Sequence, residues 1–181
     1  DSKATGPRAW SDWTANLVQE LFFKILHILE RGELATPDSS QTISRLKSRI
    51  RRRMGDRISH SEFERLIELM PTRYKLNTPV VDIERHMEMM LWFEKEAENK
   101  NPYPFVLDVR ENSQGGFWQV SFVGRDRPGL FSDIAGVMAL NNINILSTNI
   151  YTWSNGVAVD IFRVTRPLDP IHPHETWEKV N

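Results

Sequence analysis

One tract, residues 117–166, constrains the fold more than any other part of the chain, because the period of its apolar residues changes at a fixed point. In residues 117–123, large apolar residues alternate with polar ones, as in a half-buried strand. After Pro128, the apolar residues recur at three and four positions, which predicts a helix ending at Asn141. A strand that leads directly into a helix is therefore predicted, with the turn at residues 124–131.

This turn has the composition of a binding corner for a small anion. Pro128 fits the first helical position, since its missing N–H would have no partner within the helix, and Asp126 is predicted to cap the turn. Gly129 lets another group approach the backbone closely. The free N–H groups and the positive end of the helix dipole favour a carboxylate or phosphate. We therefore predict an anion-binding corner at the start of the helix.

Two further strands are predicted after this helix. Residues 143–153 and 157–166 are rich in β-forming residues and are separated by Asn155-Gly156, a strong hairpin signal when both turn residues take positive φ. Both strands carry apolar residues on both faces. One face is expected to meet the helix and the other a second layer or a partner sheet. A second helix is predicted to begin near residues 174–177.

The order strand, helix, strand, strand resembles the ACT domain, a ferredoxin-like βαββαβ module that senses amino acids. Residues 126–130 (Asp-Arg-Pro-Gly-Leu) match the Asp-x-Pro-Gly-Leu signature of that family, and Asn144 matches its Asn early in the second strand. The resemblance implies an α+β fold and an amino-acid effector. It also implies the following ligand-binding residues: Asp126, Arg127, Pro128, Gly129, Leu130 and Asn144. The alternative is a ferredoxin-like domain in which the Pro-Gly corner only starts a helix.

Composition is that of an ordinary globular protein. The chain has 181 residues, 40% of them hydrophobic and 26% charged, with a net charge of −1. The absence of cysteine excludes disulfides and thiolate chemistry. No apolar run approaches the roughly 18 residues of a membrane span. A cytoplasmic location is predicted, with no membrane partner.

The ends of the sequence predict a fragment of a larger protein. The chain has no initiator Met, and it stops at Asn181 inside the predicted second helix, before the fourth strand of a βαββαβ unit. The first strand, 117–123, would then lie at an exposed sheet edge. Residues 105–110 form another strand candidate, which we expect to pair with the first strand and cover this edge.

The sequence pattern predicts that the first hundred residues are mostly α-helical. We assign residues 1–101 to a helical segment and residues 102–181 to an ACT-like domain, with the Pro-rich step at 101–104 as the boundary. The predicted parts of the helical segment are a helix at 10–31, a polar stretch at 36–41, a basic helix at 43–54, a helix at 60–69 opened by a capping box at Ser59, a linker at 71–79, and a helix starting at 78–79 and ending before 101.

This helical half carries a second resemblance. The pattern Asp-Ser-x-Ala-Thr-Gly-Pro-x-x-Trp at residues 1–10 and the linker Met-Pro-Thr-Arg-Tyr at residues 70–74 are similar to the stretch between the HD and ACT domains of bifunctional PII uridylyltransferase/uridylyl-removing enzymes. The resemblance implies a regulatory segment of such a multifunctional transferase and hydrolase. In that family Asp1 would be the last metal ligand of the HD site, with Mg or Mn in the parent enzyme. No catalytic residue is predicted within this chain.

The same resemblance implies the biological role and the partners. The ACT domain would sense glutamine in nitrogen regulation and control the attachment of UMP to the PII signal protein and its removal. ACT modules pair side by side, so an ACT–ACT contact or a homodimer is also expected. The alternatives are an ACT-like dimerisation module without ligand, or the amino-acid sensor of another HD phosphohydrolase.

Other signals in the sequence have simpler explanations. Seven basic residues within 45–57 resemble a nucleic-acid patch, but nearby glutamates favour a solvated or salt-bridged helix face, so no nucleic-acid partner is predicted. The His172-Pro173-His174 run is typical of a loop rather than a metal site. His86 is predicted to be a packing or surface residue, and the aromatic and Met cluster at 87–93 is predicted to be core.

Overall fold

The computed structural model describes residues 37–98, 104–113 and 115–165. Within these ranges the fold is α+β, with a helical segment that precedes a four-stranded antiparallel sheet with one inserted helix. The elements in chain order are α1 (Pro37–Met54), a 3₁₀ turn (Gly55–Arg57), α2 (His60–Leu69), α3 (Thr72–Asn77), α4 (Val80–Glu98), β1 (Phe105–Asn112), β2 (Phe117–Arg125), α5 (Leu130–Leu140), β3 (Ile145–Thr152) and β4 (Val157–Val164). The predictions for the helix at 10–31, the second ACT helix, the metal ligand Asp1 and the histidines at 172 and 174 lie outside the described residues.

The sheet has the order β1-β2-β4-β3, and every neighbouring pair is antiparallel. β1 pairs along the whole of its length with β2, from Phe105 opposite Gly124 to Asn112 opposite Phe117. The prediction that 105–110 covers the edge of the first ACT strand is confirmed. β2 and β4 therefore lie in the centre of the sheet, and β4 is buried at seven of its eight positions.

The two faces of the sheet contact different helices. The alternation predicted for the strands places Val120 and Phe162 on the face that packs against α5, and Val123 and Val159 on the face that packs against the helical segment. The second face contributes to one hydrophobic core that also includes residues of α1, α2, α3 and α4. The expected second layer is thus supplied by the chain itself.

The helical segment and the sheet also share specific contacts. The buried ring of Tyr74 on α3 meets Tyr151 and Trp153 edge to face, with centroids 5.1 Å and 5.5 Å apart. The backbone N–H of Ser154 donates to the carbonyl of Leu69 over 3.0 Å. The division of the chain at residues 101–102 stays a prediction, but the two parts share one continuous core within the described residues.

Three local predictions for the helical segment are wrong. The polar stretch 36–41 belongs largely to α1, which begins at Pro37, a residue suited to a first helical turn. The linker 71–79 contains the short helix α3, where burial of Tyr74 stabilises a turn that composition alone does not favour. Trp92, assigned to the core, is 51% exposed, while its neighbours Met87 and Phe93 are buried as predicted.

Capping and charge pairing in the helices follow the sequence. Ser59 is the N-cap of α2, and its Oγ accepts from the N–H of Glu62 over 3.2 Å. The basic face is salt-bridged, as predicted: Arg57 contacts Glu88 at 2.5 Å, and Arg53 contacts Glu84. These pairs connect α1 and the 3₁₀ turn to α4.

The β3–β4 hairpin forms where it was predicted, but with a different turn. Of Asn155 and Gly156, only Gly156 has a positive φ, at 74°. The Gly156 N–H donates to Trp153, and the Trp153 N–H donates to Val157 over 2.8 Å, which closes a three-residue loop. A left-handed glycine at the third loop position is the usual way to close such a hairpin, so the expectation of two positive φ values is wrong.

Candidate ligand-binding corner

The predicted corner lies where β2 ends and α5 begins. Gly129 is the N-cap of α5 and has a left-handed backbone, with φ at 84°. The helix starts at Leu130, so the prediction that Pro128 occupies the first helical position is wrong. A right-handed helix cannot include a residue with a left-handed backbone, so Gly129 separates Pro128 from α5. A Cβ placed on Gly129 would meet no atom within 4 Å, so the corner is open.

The corner presents backbone amides without acceptors. Among the described residues, the N–H groups of Gly129, Phe131 and Ser132 donate to no acceptor, as expected for the first turn of a helix that lacks a side-chain cap. The Leu130 N–H donates to the Arg127 carbonyl over 3.2 Å. Unpaired amides at the positive end of a helix suit a carboxylate.

Asp126 does not cap α5, contrary to the prediction. Its Oδ2 accepts from the Thr152 hydroxyl over 2.6 Å, and its N–H donates to the Gly156 carbonyl over 3.1 Å. These bonds join the end of β2 to the β3–β4 hairpin. The Asp126 carboxylate is therefore held at the side of the corner, where it remains exposed.

Exposed charges surround the corner. Arg127 forms an ion pair with Asp133 at 2.5 Å, and both side chains are more than half exposed. Arg125 is also exposed. Exposed ion pairs contribute little to stability, so these groups are free to exchange partners with a bound ion.

A groove of about 390 Å³ adjoins the corner on the α5 face of the sheet. Its walls are largely apolar side chains from β1, β2 and α5, and Arg125, Arg127 and Asp133 also line it. The apolar wall residues are Pro104, Phe105, Leu107, Phe122, Leu130, Ile134, Val137 and Met138.

Asn144 lies far from the other five predicted ligand residues. It exchanges hydrogen bonds with Thr165, at the end of β4 that pairs with Trp118. The corner follows Arg125, at the opposite end of β2, about 23 Å away at the usual rise per residue. Residues 126–130 are therefore brought together, and Asn144 is not brought to them within one chain.

The sequence analysis did not identify one further candidate residue, which lies on the sheet near the corner. Asp160, in the middle of β4, is 2% exposed on the face that packs against α5, and burial raises its pKa from 3.8 to about 7, with a further contribution from the charge of Asp126. Its Oδ1 has no hydrogen-bond partner among the described residues. The signal was present in the sequence, since a lone carboxylate interrupts the apolar run Val157–Val164.

Neither a metal nor a membrane signal appears in the part of the chain that the structure describes. Residues 37–98, 104–113 and 115–165 hold no group of three or more histidine, cysteine or acidic side chains placed to bind a metal ion. No helix within those ranges is long and apolar enough to cross a membrane.

The comparisons with known proteins agree with this geometry. Residues 118–172 match the ACT domain model, which includes the whole corner. Bifunctional uridylyltransferase/uridylyl-removing enzymes of Gluconobacter oxydans and Azospirillum brasilense are 28% and 26% identical over 91% of this chain. The enzyme of Rhodospirillum rubrum is 30% identical over the same share.

These matches cover only part of the relatives. The chain spans 17% of the length of each of the three enzymes. No solved structure gave a match. The chain carries an ACT domain of the α+β, ferredoxin-like type behind a helical segment, and over most of its length it is similar to one region of the bifunctional uridylyltransferase/uridylyl-removing enzymes.

Proposed function

We propose that this chain is the effector-sensing region of a uridylyltransferase/uridylyl-removing enzyme and that its ACT domain binds glutamine. The observation that carries the proposal is the open corner at Gly129, which lies inside the ACT match and presents unpaired amides. The α-carboxylate of glutamine would accept hydrogen bonds from these amides. Asp126, at the side of the corner, would orient the amino or amide end.

Asn144 would take part only through a second ACT module. β3 is an edge strand, and antiparallel pairing of two β3 strands about their midpoint would place Asn144 of one module near Thr152 of the other. Thr152 already bonds to Asp126 at the corner. A side-by-side pair, either of two ACT modules or of two chains, would therefore complete the predicted ligand set.

The strand that ends at the corner is hydrogen-bonded to the helical segment, so ligand binding at the corner can affect that segment. β2 leads to the corner, and its Ser121 is hydrogen-bonded to His86 of α4 over 2.9 Å. A ligand changes an equilibrium only through different affinities for two states. In this proposal, glutamine favours one arrangement of the ACT sheet and the helical segment over another.

In the parent enzyme, this shift would switch between attaching UMP to the PII signal protein and removing it. Mg or Mn would serve the catalytic domains of the parent. The role of Asp1 as a metal ligand stays a prediction for an intact HD site.

Replacement of Gly129 with valine is expected to weaken glutamine binding at least tenfold. A β-branched side chain at φ of 84° adds backbone strain of about 1–3 kcal/mol, and it fills the space over the amides. Calorimetric titration with L-glutamine measures the effect. Gly136→Val is the matched control, because Gly136 lies in α5 in open space without a positive φ.

If the wild-type chain releases no heat with glutamine, or if both valine variants bind it as well as the wild type does, the corner is not the glutamine site.

The alternative is a pairing module without ligand. It is favoured by exposed apolar side chains on the β3 edge strand, Leu146 at 59% and Ile150 at 44%. Sedimentation with and without glutamine separates the two functions: a pairing module gives the same dimer in both conditions, whereas a sensor gives a dimer population that depends on glutamine.

A further inference from the structure

The buried carboxylate of Asp160 lies on the face of β4 that packs against α5. It occupies the centre of β4, opposite Phe122 on β2 and Ile150 on β3. On the same face, two residues further from the corner, Phe162 stacks against Phe131 of the first helical turn, with centroids 6.1 Å apart. Asp160 therefore lies between this stack and the corner.

A carboxylate buried in the centre of a sheet needs hydrogen-bond donors. Buried polar groups in native proteins are nearly always hydrogen-bonded, and an unpaired exception calls for a role. The backbone N–H of Tyr151 acts to lower the pKa of Asp160, against the effect of burial, but the Oδ1 atom of Asp160 has no hydrogen-bond partner among the described residues. The nearby ionisable group whose charge acts on it is Asp126, which makes a cationic partner more favourable.

The charges at the corner match a zwitterion. The unpaired amides at the start of α5 favour an anion, while Asp126 and Asp160 beside them favour a cation. We propose that Asp160 binds the α-ammonium group of the amino-acid effector whose α-carboxylate accepts from the α5 amides. The inference rests on the proposed function and adds to it a residue that selects for an amino acid over a simple carboxylic acid.

Two apolar side chains near Asp160 are partly exposed. Ile150, which is opposite Asp160 on β3, is 44% exposed, and Phe131, which stacks on the neighbouring Phe162, is 40% exposed. Exposed side chains change rotamer on fast timescales. An ammonium group would then complete the bonding of Oδ1 without a change in the backbone of β4.

The test compares L-glutamine with glutaramate, which is glutamine without its α-amino group. In calorimetric titrations at pH 8, the wild-type chain is expected to prefer glutamine. Asp160→Asn should weaken glutamine binding about tenfold to a hundredfold, because a charge-assisted hydrogen bond is lost. The same variant should bind glutaramate at least as tightly as the wild type does, because a negative charge near the ligand's carboxylate is removed. This binding also shows that the variant is folded. Glu111→Gln, an exposed change on β1, is the control for net charge.

The pH profile gives a second readout. Because Asp160 has a pKa of about 7, wild-type affinity for glutamine should rise between pH 6 and pH 8, and the asparagine variant should lose this rise. The affinity for glutaramate should not rise between pH 6 and pH 8 in either the wild type or the asparagine variant.

The outcomes separate the two proposals. If the wild type binds glutamine and Asp160→Asn binds it equally well, or if the wild type binds glutaramate as tightly as glutamine, the role of Asp160 is refuted and the glutamine site stands. If the wild type binds neither compound, the glutamine site and this inference are both refuted.

Discussion

A chain in which leucine replaces His86 should unfold with a free energy about 4 kcal/mol below that of the wild type, because two buried hydroxyl groups lose their partner. His86 is fully buried between Tyr74 and Ser121. Its Nδ1 lies 2.8 Å from the Tyr74 hydroxyl, and its Nε2 lies 2.9 Å from the Ser121 hydroxyl. Urea denaturation followed by circular dichroism at pH 7 measures the difference.

The control variant also removes the two hydroxyl groups that His86→Leu leaves without a hydrogen-bond partner. The triple variant Tyr74→Phe, His86→Leu and Ser121→Ala leaves no polar atom of this group unpaired, so it should be more stable than His86→Leu alone. A loss below about 1 kcal/mol in the single variant, or a triple variant less stable than the single one, would show that the three groups do not act as one buried network.

His86 also makes stability depend on pH. Burial lowers its pKa from 6.5 to about 4; the charge of Asp82 opposes this, and the charge of Arg110 adds to it. Asp108 and Arg85 act on it more weakly and in opposite directions. Between pH 4 and 6.5 the unfolded chain binds a proton at His86 that the folded chain does not, so this residue makes stability fall as the pH is lowered.

Replacement of Asp160 with asparagine is expected to stabilise the protein by about 2 kcal/mol at pH 8. Burial makes the charged carboxylate unfavourable, and the rise of its pKa from 3.8 to about 7 corresponds to at most about 4 kcal/mol. The neutral amide avoids that penalty but keeps polar atoms that need partners, which reduces the gain. Urea denaturation at a series of pH values measures the difference.

The sign of the Asp160 effect is opposite to that of His86. Between pH 4 and 7 the folded chain holds a proton at Asp160 that the unfolded chain has released, so stability from this residue falls as the pH rises. The gain in Asp160→Asn should therefore shrink towards pH 5. A difference between variant and wild type that is the same at pH 5 and pH 8 would show that Asp160 is charged at both.

His86 and Asp160 together predict how the free energy of unfolding depends on pH in the wild type and in each variant. In the wild type, the two slopes oppose each other between pH 4 and 6.5. Asp160→Asn should expose the rise due to His86, and His86→Leu should expose the fall due to Asp160. A buried carboxylate that lowers stability is also typical of residues retained for a functional reason, in agreement with the proposed role in ligand binding.

Much of the ACT half was predictable because its signals are local. The change of period around Pro128 located β2 and α5, and the Asn155-Gly156 pair located the hairpin. The pairing of 105–110 with 117–123 followed from the need to cover a sheet edge. The errors in this half were local in size: the exact helix start after Gly129, the capping role of Asp126, and the backbone of the turn at Asn155.

Local sequence patterns are enough to predict the order and type of the main elements and to place five candidate ligand residues in one turn, because side-chain periodicity and turn residues act over a few positions. Contacts between distant parts of the chain are fixed only when the chain folds. Folding buries His86 between α3 and β2, places Asp160 on the sheet face that packs against α5 and separates Asn144 from the corner. Such distances and pKa values depend on packing between residues far apart in sequence, which no local pattern contains.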